Sequence, residues 1–207
     1  MDGATTTVII LIFVFSIFGA AVNKKEPPQN ASKPAYETGI VHTNVDTDIP
    51  SELFAAGYVD GITNQIKTFV RRYAKKVPES DASQISESIV RYSKQFDVNP
   101  RLVTALIARE SRFNKYAISS SGAQGLGQLL PSTAAGLSIS DPFDIDENVR
   151  GTVRYMKSML DRFSGPNKVP YAIAGYFEGP NAVTRNGGFK PKSKSYVEDI
   201  LSIYKKI

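Results

Sequence analysis

Glu110 stands where an apolar helical pattern gives way to a glycine-rich, amide-bearing loop, and a carboxylate in that place could serve as a proton donor. In Pro100-Arg-Leu-Val-Thr-Ala-Leu-Ile-Ala-Arg-Glu110-Ser-Arg-Phe113, Leu102, Val103, Leu106 and Ile107 share one helical face. At a 3.6-residue period the next member of that face is Glu110. Asn99 is suited to cap this helix and Pro100 to open it, where its missing N–H costs nothing. A carboxylate on a buried stripe loses hydration, which disfavours the charged form and raises the pKa, toward about 6 in glycosidase-type acids. The same residue could instead end the helix in water or pair with Arg109 or Arg112, and periodicity alone leaves both open.

The loop that follows is more specific. Residues 110 to 134 resemble the first catalytic motif of the soluble lytic transglycosylase family, whose members carry a lysozyme-like domain related to goose-type lysozyme. Glu110, Ser111, Phe113, Ala117, Ser119, Gly122, Ala123, Gly125, Leu126, Gln128, Pro131, Thr133 and Ala134 match the family pattern in unbroken register. Gly127 stands where the family usually has Met, a change expected to enlarge or loosen a sugar subsite without abolishing the chemistry. Downstream, Tyr176, Gly179 and Pro180 match the family's Ala-Tyr-Asn-Ala-Gly-Pro motif, whereas Phe177 and Glu178 replace its Asn and Ala. Tyr196-Val197 resembles the Tyr-Val pair near the family's end, so the resemblance covers roughly residues 84 to 204.

What the resemblance implies is cleavage of peptidoglycan between N-acetylmuramic acid and N-acetylglucosamine. One glutamate acts as acid and then base, the substrate's N-acetyl oxygen assists, and the muramoyl C6 hydroxyl attacks in place of water, leaving a 1,6-anhydro sugar. Glu110 takes that role by resemblance, with Ser111, Ser119, Gln128, Tyr176 and Tyr196 lining the substrate site. The Tyr176 hydroxyl is expected within reach of a carboxyl, and the Gln128 amide is expected to bind acetamido groups or else to cap backbone. No metal and no organic cofactor are expected. A second carboxylate would turn the same fold into a hydrolytic muramidase, and Glu178 is the candidate. Two residues beyond Tyr176 on a helix it points to another face, so a rim or surface position is expected. The altered Gly127, Phe177 and Glu178 motivate a third reading, a non-catalytic wall-binding scaffold.

Other clusters carry less. Asp141, Asp144, Asp146 and Glu147 precede a helix, where acids usually cap and complement the dipole. The lone His42 has no ligand set around it, which argues against a zinc amidase or peptidase. Arg185, Lys190, Lys192, Lys194, Lys205 and Lys206 lack interleaved aromatics or a recognised module, so nucleic acid is not expected as a partner and a solvated surface is.

The elements that must position Glu110 follow from pattern. The chain has 207 residues, a net charge of +5 and no cysteine, which fits one domain plus an extension, folding without disulfides. The expected fold is all-α and lysozyme-like, or α+β with a minimal hairpin in the region 118 to 130, carrying a membrane-spanning N-terminal helix. Residues 79–207 form the transglycosylase-like domain, with a helix expected over Ala82–Phe96 and a core helix that, by the resemblance, is entered within residues 141–151 and continues over Gly151–Phe163. Residues 51–78 form an amphipathic helical extension whose default is to pack on that domain, a membrane surface being the alternative. Residues 23–50 read as a proline-bearing linker that gives the domain reach.

Residues 1–22 read as a retained anchor, apolar from Thr5 to Val22, with a signal cleaved near Gly19-Ala20-Ala21 as the competitor. Lys24 and Lys25 behind the span conflict with an enzyme facing peptidoglycan. The conflict would be resolved in a virus particle whose internal membrane carries its own wall-opening enzyme. The expected location is therefore the periplasmic side of a membrane or a virion membrane, with peptidoglycan strands and a membrane as partners and oligomeric state open.

Overall fold

The computed structural model describes residues 56–207, and their order is α1 (Ala56–Tyr73), α2 (Glu79–Phe96), α3 (Pro100–Ser111), α4 (Pro131–Gly136), α5 (Ile145–Arg162), α6 (Lys168–Glu178), α7 (Pro180–Asn186) and α8 (Pro191–Tyr204). α3 starts as its sequence requires. The Asn99 side chain accepts a hydrogen bond from the Arg101 N–H at 2.9 Å, and Pro100 occupies the first turn. The helix ends when Arg112 turns to a left-handed conformation (φ 54°), its N–H donating to the Ala108 carbonyl.

The expected single apolar stripe is exceeded. Every residue from Leu102 to Ala108, including Thr104, is buried, and α1, α2, α5 and α8 all pack on α3. Thr104 is tolerated because its hydroxyl donates to the Pro100 carbonyl one turn back (2.7 Å). Each fully buried Leu or Ile here contributes roughly 1.5–3 kcal/mol. Glu110 is therefore held at the emerging end of the helix most deeply embedded in the core.

α1 buries Ile62, Ile66, Phe69 and Val70 and packs on α2 and α3. α2 and α5 form an extensive helix pair, with Ile85 and Ile89 from one and Val149, Val153 and Met156 from the other in the core. α5 begins within the expected entry segment, residues 141–151, where Asp144 caps it by accepting from the Glu147 N–H at 2.8 Å. Among the described residues there is no strand: the glycine-rich excursion closes with two isolated antiparallel bridges, Ile118 with Gln124 and Gln124 with Leu129. The fold is thus all-α, and the α+β alternative reduces to those bridges. Among the described residues no helix is long and apolar enough to cross a membrane. The apolar segment 5–22 and the linker 23–50 lie outside them.

Candidate active site

Glu110 lines a groove of about 640 Å³, together with Arg109, Ser111 and Arg112 at the end of α3, Ile118 and Gln128 from the glycine-rich loop, and Asp199 from α8. Its carboxylate accepts a short hydrogen bond from the Tyr196 hydroxyl of α8. Burial pushes the Glu110 pKa up; the Tyr196 bond and the Arg109 charge oppose it, and the net direction is upward. Arg109 is turned aside, its guanidinium donating to Asp199 at 2.9 Å, so the cation next in sequence does not neutralise Glu110 by direct pairing. Tyr196 is raised well above the ordinary phenol value by burial and the Glu110 charge, which keeps it a proton donor to the carboxylate. A half-buried acid of raised proton affinity, held by one donor beside a groove, is placed to act as a proton donor.

The loop behind Glu110 is fixed by α5 and α6. A Cβ on Gly125 would lie 2.1 Å from the Pro142 carbonyl oxygen and, with φ at 75°, glycine is required there twice over. Gly127 leaves no enlarged subsite, contrary to expectation: a Cβ there would lie 1.8 Å from Thr152 Oγ1. Thr152, fully buried on α5, fills the space, and Asn148 one turn before it accepts from the Gly127 N–H at 2.8 Å. Asn148 also donates to the carbonyls of Gln124 and Pro142. Neither Asn148 nor Thr152 was expected at the site. The signal was a polar pair one turn apart inside the buried stripe Ile145, Val149, Val153 and Met156.

The sequence-predicted residues divide into two groups. Tyr196 meets Glu110 directly, while Ser111 follows it in the groove with its hydroxyl donating to the Ile107 carbonyl at 3.3 Å. Tyr176 does not donate to a carboxyl: its buried hydroxyl donates to the Gly127 carbonyl at 2.8 Å, and burial, then the Glu110 charge, push its pKa well up. Gln128 lines the groove, but its amide nitrogen donates to the Ala117 and Gly125 carbonyls and braces the loop, with φ at 51°. Ser119 also serves the loop, accepting from the Ala123 N–H at 3.0 Å and pairing with Ser121. The cause is shared: a loop without regular structure must satisfy its own backbone.

Phe177 takes an unexpected part. Its ring stacks on Tyr196 with centroids 4.6 Å apart and planes 23° apart, and Arg109 lies 5.4 Å from the same Tyr196 ring. Glu178 takes a partly exposed rim position, as expected, but both its carboxylate oxygens are buried and have no hydrogen-bond partner among the described residues. Of the acids around the start of α5, Asp144 caps it by accepting from the Glu147 N–H, while Asp141, accepting from the Phe143 N–H, and Glu147, accepting from the Ser140 and Asp141 N–H groups, fix the preceding turn. Asp146 instead reaches α2 and binds Ser88, Arg91 and Tyr92. Among the described residues no group of acids or histidine could hold a metal ion.

Comparison with known proteins agrees with this geometry. The family model described as the Transglycosylase SLT domain matches residues 87–198. The chain is 36% identical over 114 residues to a transglycosylase of Enterobacteria phage PRD1, covering 55% of this chain and 41% of that one. It is likewise 36% identical over 121 residues to a membrane-bound lytic murein transglycosylase F of Vibrio cholerae, covering 54% of this chain and 22% of the relative. The chain thus spans less than half the length of these curated relatives. Among solved structures it shares its fold with the lytic transglycosylase Slt of Pseudomonas aeruginosa (TM-score 0.52, 21% identity, 74% of this chain and 30% of that one). The 70 kDa soluble lytic transglycosylase of Escherichia coli gives a TM-score of 0.53 at 18% identity, over 72% of this chain and 29% of that one.

Proposed function

Because the chain belongs to the Transglycosylase SLT domain family, we propose that it cleaves peptidoglycan glycan strands between N-acetylmuramic acid and N-acetylglucosamine and releases a 1,6-anhydromuramoyl end. Protonated Glu110 gives its proton to the bridging oxygen as the C1–O bond breaks, and the substrate's N-acetyl oxygen shares the positive charge at C1. The resulting carboxylate then takes the C6 hydroxyl proton as that oxygen bonds to C1, so no water is consumed. Tyr196 holds the carboxyl during both transfers, Phe177 and Arg109 hold the Tyr196 ring, and Ser111 and Gln128 wall the groove. Ser119 and Tyr176 act through the loop, by bracing it, and not on the sugar.

The observation that carries this reading is the upward-shifted Glu110 with a single side-chain donor at a groove. The hydrolytic alternative needs a second carboxylate able to activate water, and the other carboxylate in the Glu110 groove, Asp199, is paired to Arg109. Mass spectrometry of digested wall tests the choice: anhydro ends are lighter by one water than reducing ends, and reducing ends alone would overturn it.

The placement of this activity is part of the same proposal. Residues 79–207 form the catalytic domain with 51–78 as its helical extension, 23–50 give reach, and 1–22 anchor the enzyme in a membrane facing peptidoglycan, a virion membrane being the form that suits Lys24 and Lys25. The similarity to a phage transglycosylase and to membrane-bound transglycosylases supports this reading. Fractionation of native particles or envelopes, with and without residues 1–22, checks it.

A further inference from the structure

A second cavity, of about 750 Å³, opens beside the Glu110 groove and shares Tyr73, Ser111 and Arg112 with it. Its size is that of small-ligand pockets, roughly 300–1,000 Å³. The turn between α1 and α2 supplies one wall and the segment after α3 the other, and residues 73–81 of the first wall precede the matched span 87–198. The site is therefore built by this chain's extension upon its domain.

The lining is net positive: four cations face one carboxylate, Asp81. Lys75, Lys76 and Arg112 make no ion pair among the described residues, whereas the fourth cation, Lys115, is compensated by Asp81 at 3.0 Å. Between the cations lie the partly buried, apolar Val77 and an exposed Tyr116, which presents its ring to the Lys115 ammonium 5.3 Å from its centroid. A ligand that fits must carry several negative groups and short aliphatic parts.

We propose that this cavity binds the carboxylate-bearing peptide stem of the peptidoglycan strand whose glycan lies in the Glu110 groove. The inference rests on the transglycosylase reading. Each muramoyl sugar carries its peptide on the lactyl group, so a groove that holds the glycan must leave the peptide an adjacent place. Arg112 lies at the junction of the two cavities, and Lys75 and Lys76 belong to the second alone. A phosphate polymer would use the cations but not Val77 and Tyr116; alternating carboxylates and alkyl side chains use both.

The test compares the full-length protein with its Lys75→Gln/Lys76→Gln variant on peptide-bearing glycan strands and on strands stripped of peptide by an amidase. The variant should lose about fivefold in kcat/KM on peptide-bearing strands, as expected for two partly exposed charge contacts, and nothing on stripped strands. The loss should shrink at high salt. Equal loss on both polymers, or none on either, would overturn the proposal. So would loss of binding to phosphatidylglycerol vesicles with the peptide preference intact, which assigns the lysines to a membrane. If the wild type cleaves neither polymer the transglycosylase reading fails, and titration of the free stem peptide then decides: binding that weakens about fivefold in the variant supports the site, and no binding by the wild type overturns it.

Discussion

Two carboxylates in this protein each receive a tyrosine hydroxyl, and they end with opposite proton affinities. Asp146 accepts from Tyr92, from Ser88 at 2.8 Å and from Arg91. Burial pushes its pKa up, but those bonds and the Arg91 charge outweigh burial, and it lies below the usual carboxylate range. Glu110 accepts from Tyr196, and Arg109, which could have supplied a second bond, is held by Asp199; burial wins and the pKa rises. Both tyrosines are themselves pushed up, Tyr92 and Tyr196 alike first by burial, so both stay donors. Deeper burial and fewer donors around the carboxylate, not the tyrosine, separate the proton source from the structural anchor.

The strongest break in that comparison is Glu110→Gln. Activity in a wall-digestion assay should fall by about 10³-fold or more, the scale of a lost general acid. Stability should move the other way. A carboxyl with a raised folded pKa binds more protons folded than unfolded, so its cost is absent below the unfolded value of about 4.3 and grows as pH rises through the folded value. The variant should therefore melt about 2–4 °C higher than wild type at pH 7 and level with it at pH 4. Full activity in the variant would remove Glu110 from the mechanism.

Tyr196→Phe deletes the donor and should lower kcat by roughly 10- to 100-fold, since the carboxyl loses its orientation. The bond it removes lowers the Glu110 pKa, so the alkaline limb of the pH profile should move upward. A downward movement would mean that Tyr196 acts on the sugar and not through Glu110. Phe177→Ala, which strips the stack from the Tyr196 ring, should reproduce the kcat loss in milder form, about three- to tenfold, with the same direction of pH shift.

Glu110 was legible because its signal is local: a carboxylate at helical spacing from Leu102, Leu106 and Ile107, followed by a loop that resembles a known motif. Its donor is 86 residues away, and only resemblance to a Tyr-Val pair pointed to Tyr196 as part of the site. The helices were legible through their apolar periods, whereas the burial of α3 on every side was not, because a period reports one face and not how many neighbours a helix has. Gly127 was misread for a related reason. The volume it vacates is filled by Thr152 from α5, a packing event invisible to residues near position 127. Gln128 and Ser119 have the right chemistry for sugars, but the loop's own carbonyls and N–H groups claim their polar atoms first.

The opposite arm of the comparison is probed by Asp146→Asn, which should leave kcat unchanged and cost about 1–2 kcal/mol of stability at pH 7, modest because the ion pair is partly exposed. A lowered folded pKa gives stability that is present above the unfolded value of about 3.9 and lost as pH falls through the folded value. Both gaps should therefore close in acid and open with rising pH, but with opposite sign: Asp146→Asn falls below wild type, whereas Glu110→Gln rises above it. Chemical denaturation at pH 7 and pH 3 measures both, and gaps of the same sign would mean that burial and donor number do not set the difference.

Glu178 is a third carboxylate, and it has no donor at all. Both oxygens are buried without a partner, and as the last residue of α6 it adds negative charge where the helix carbonyls already concentrate it. A structural anchor would have donors, and a working acid would have one to hold it. The geometry around Glu178 supplies neither, so its replacement by alanine, the residue the resembling motif carries there, should relieve strain. The expected result for Glu178→Ala is unchanged kcat and a melting temperature higher by about 2–4 °C, the worth of roughly 1 kcal/mol in a chain of this size. A hundredfold loss of kcat together with reducing ends in the wild-type digest would make Glu178 the second carboxylate of a hydrolase, and the donor count would then have failed as a guide to which acids work.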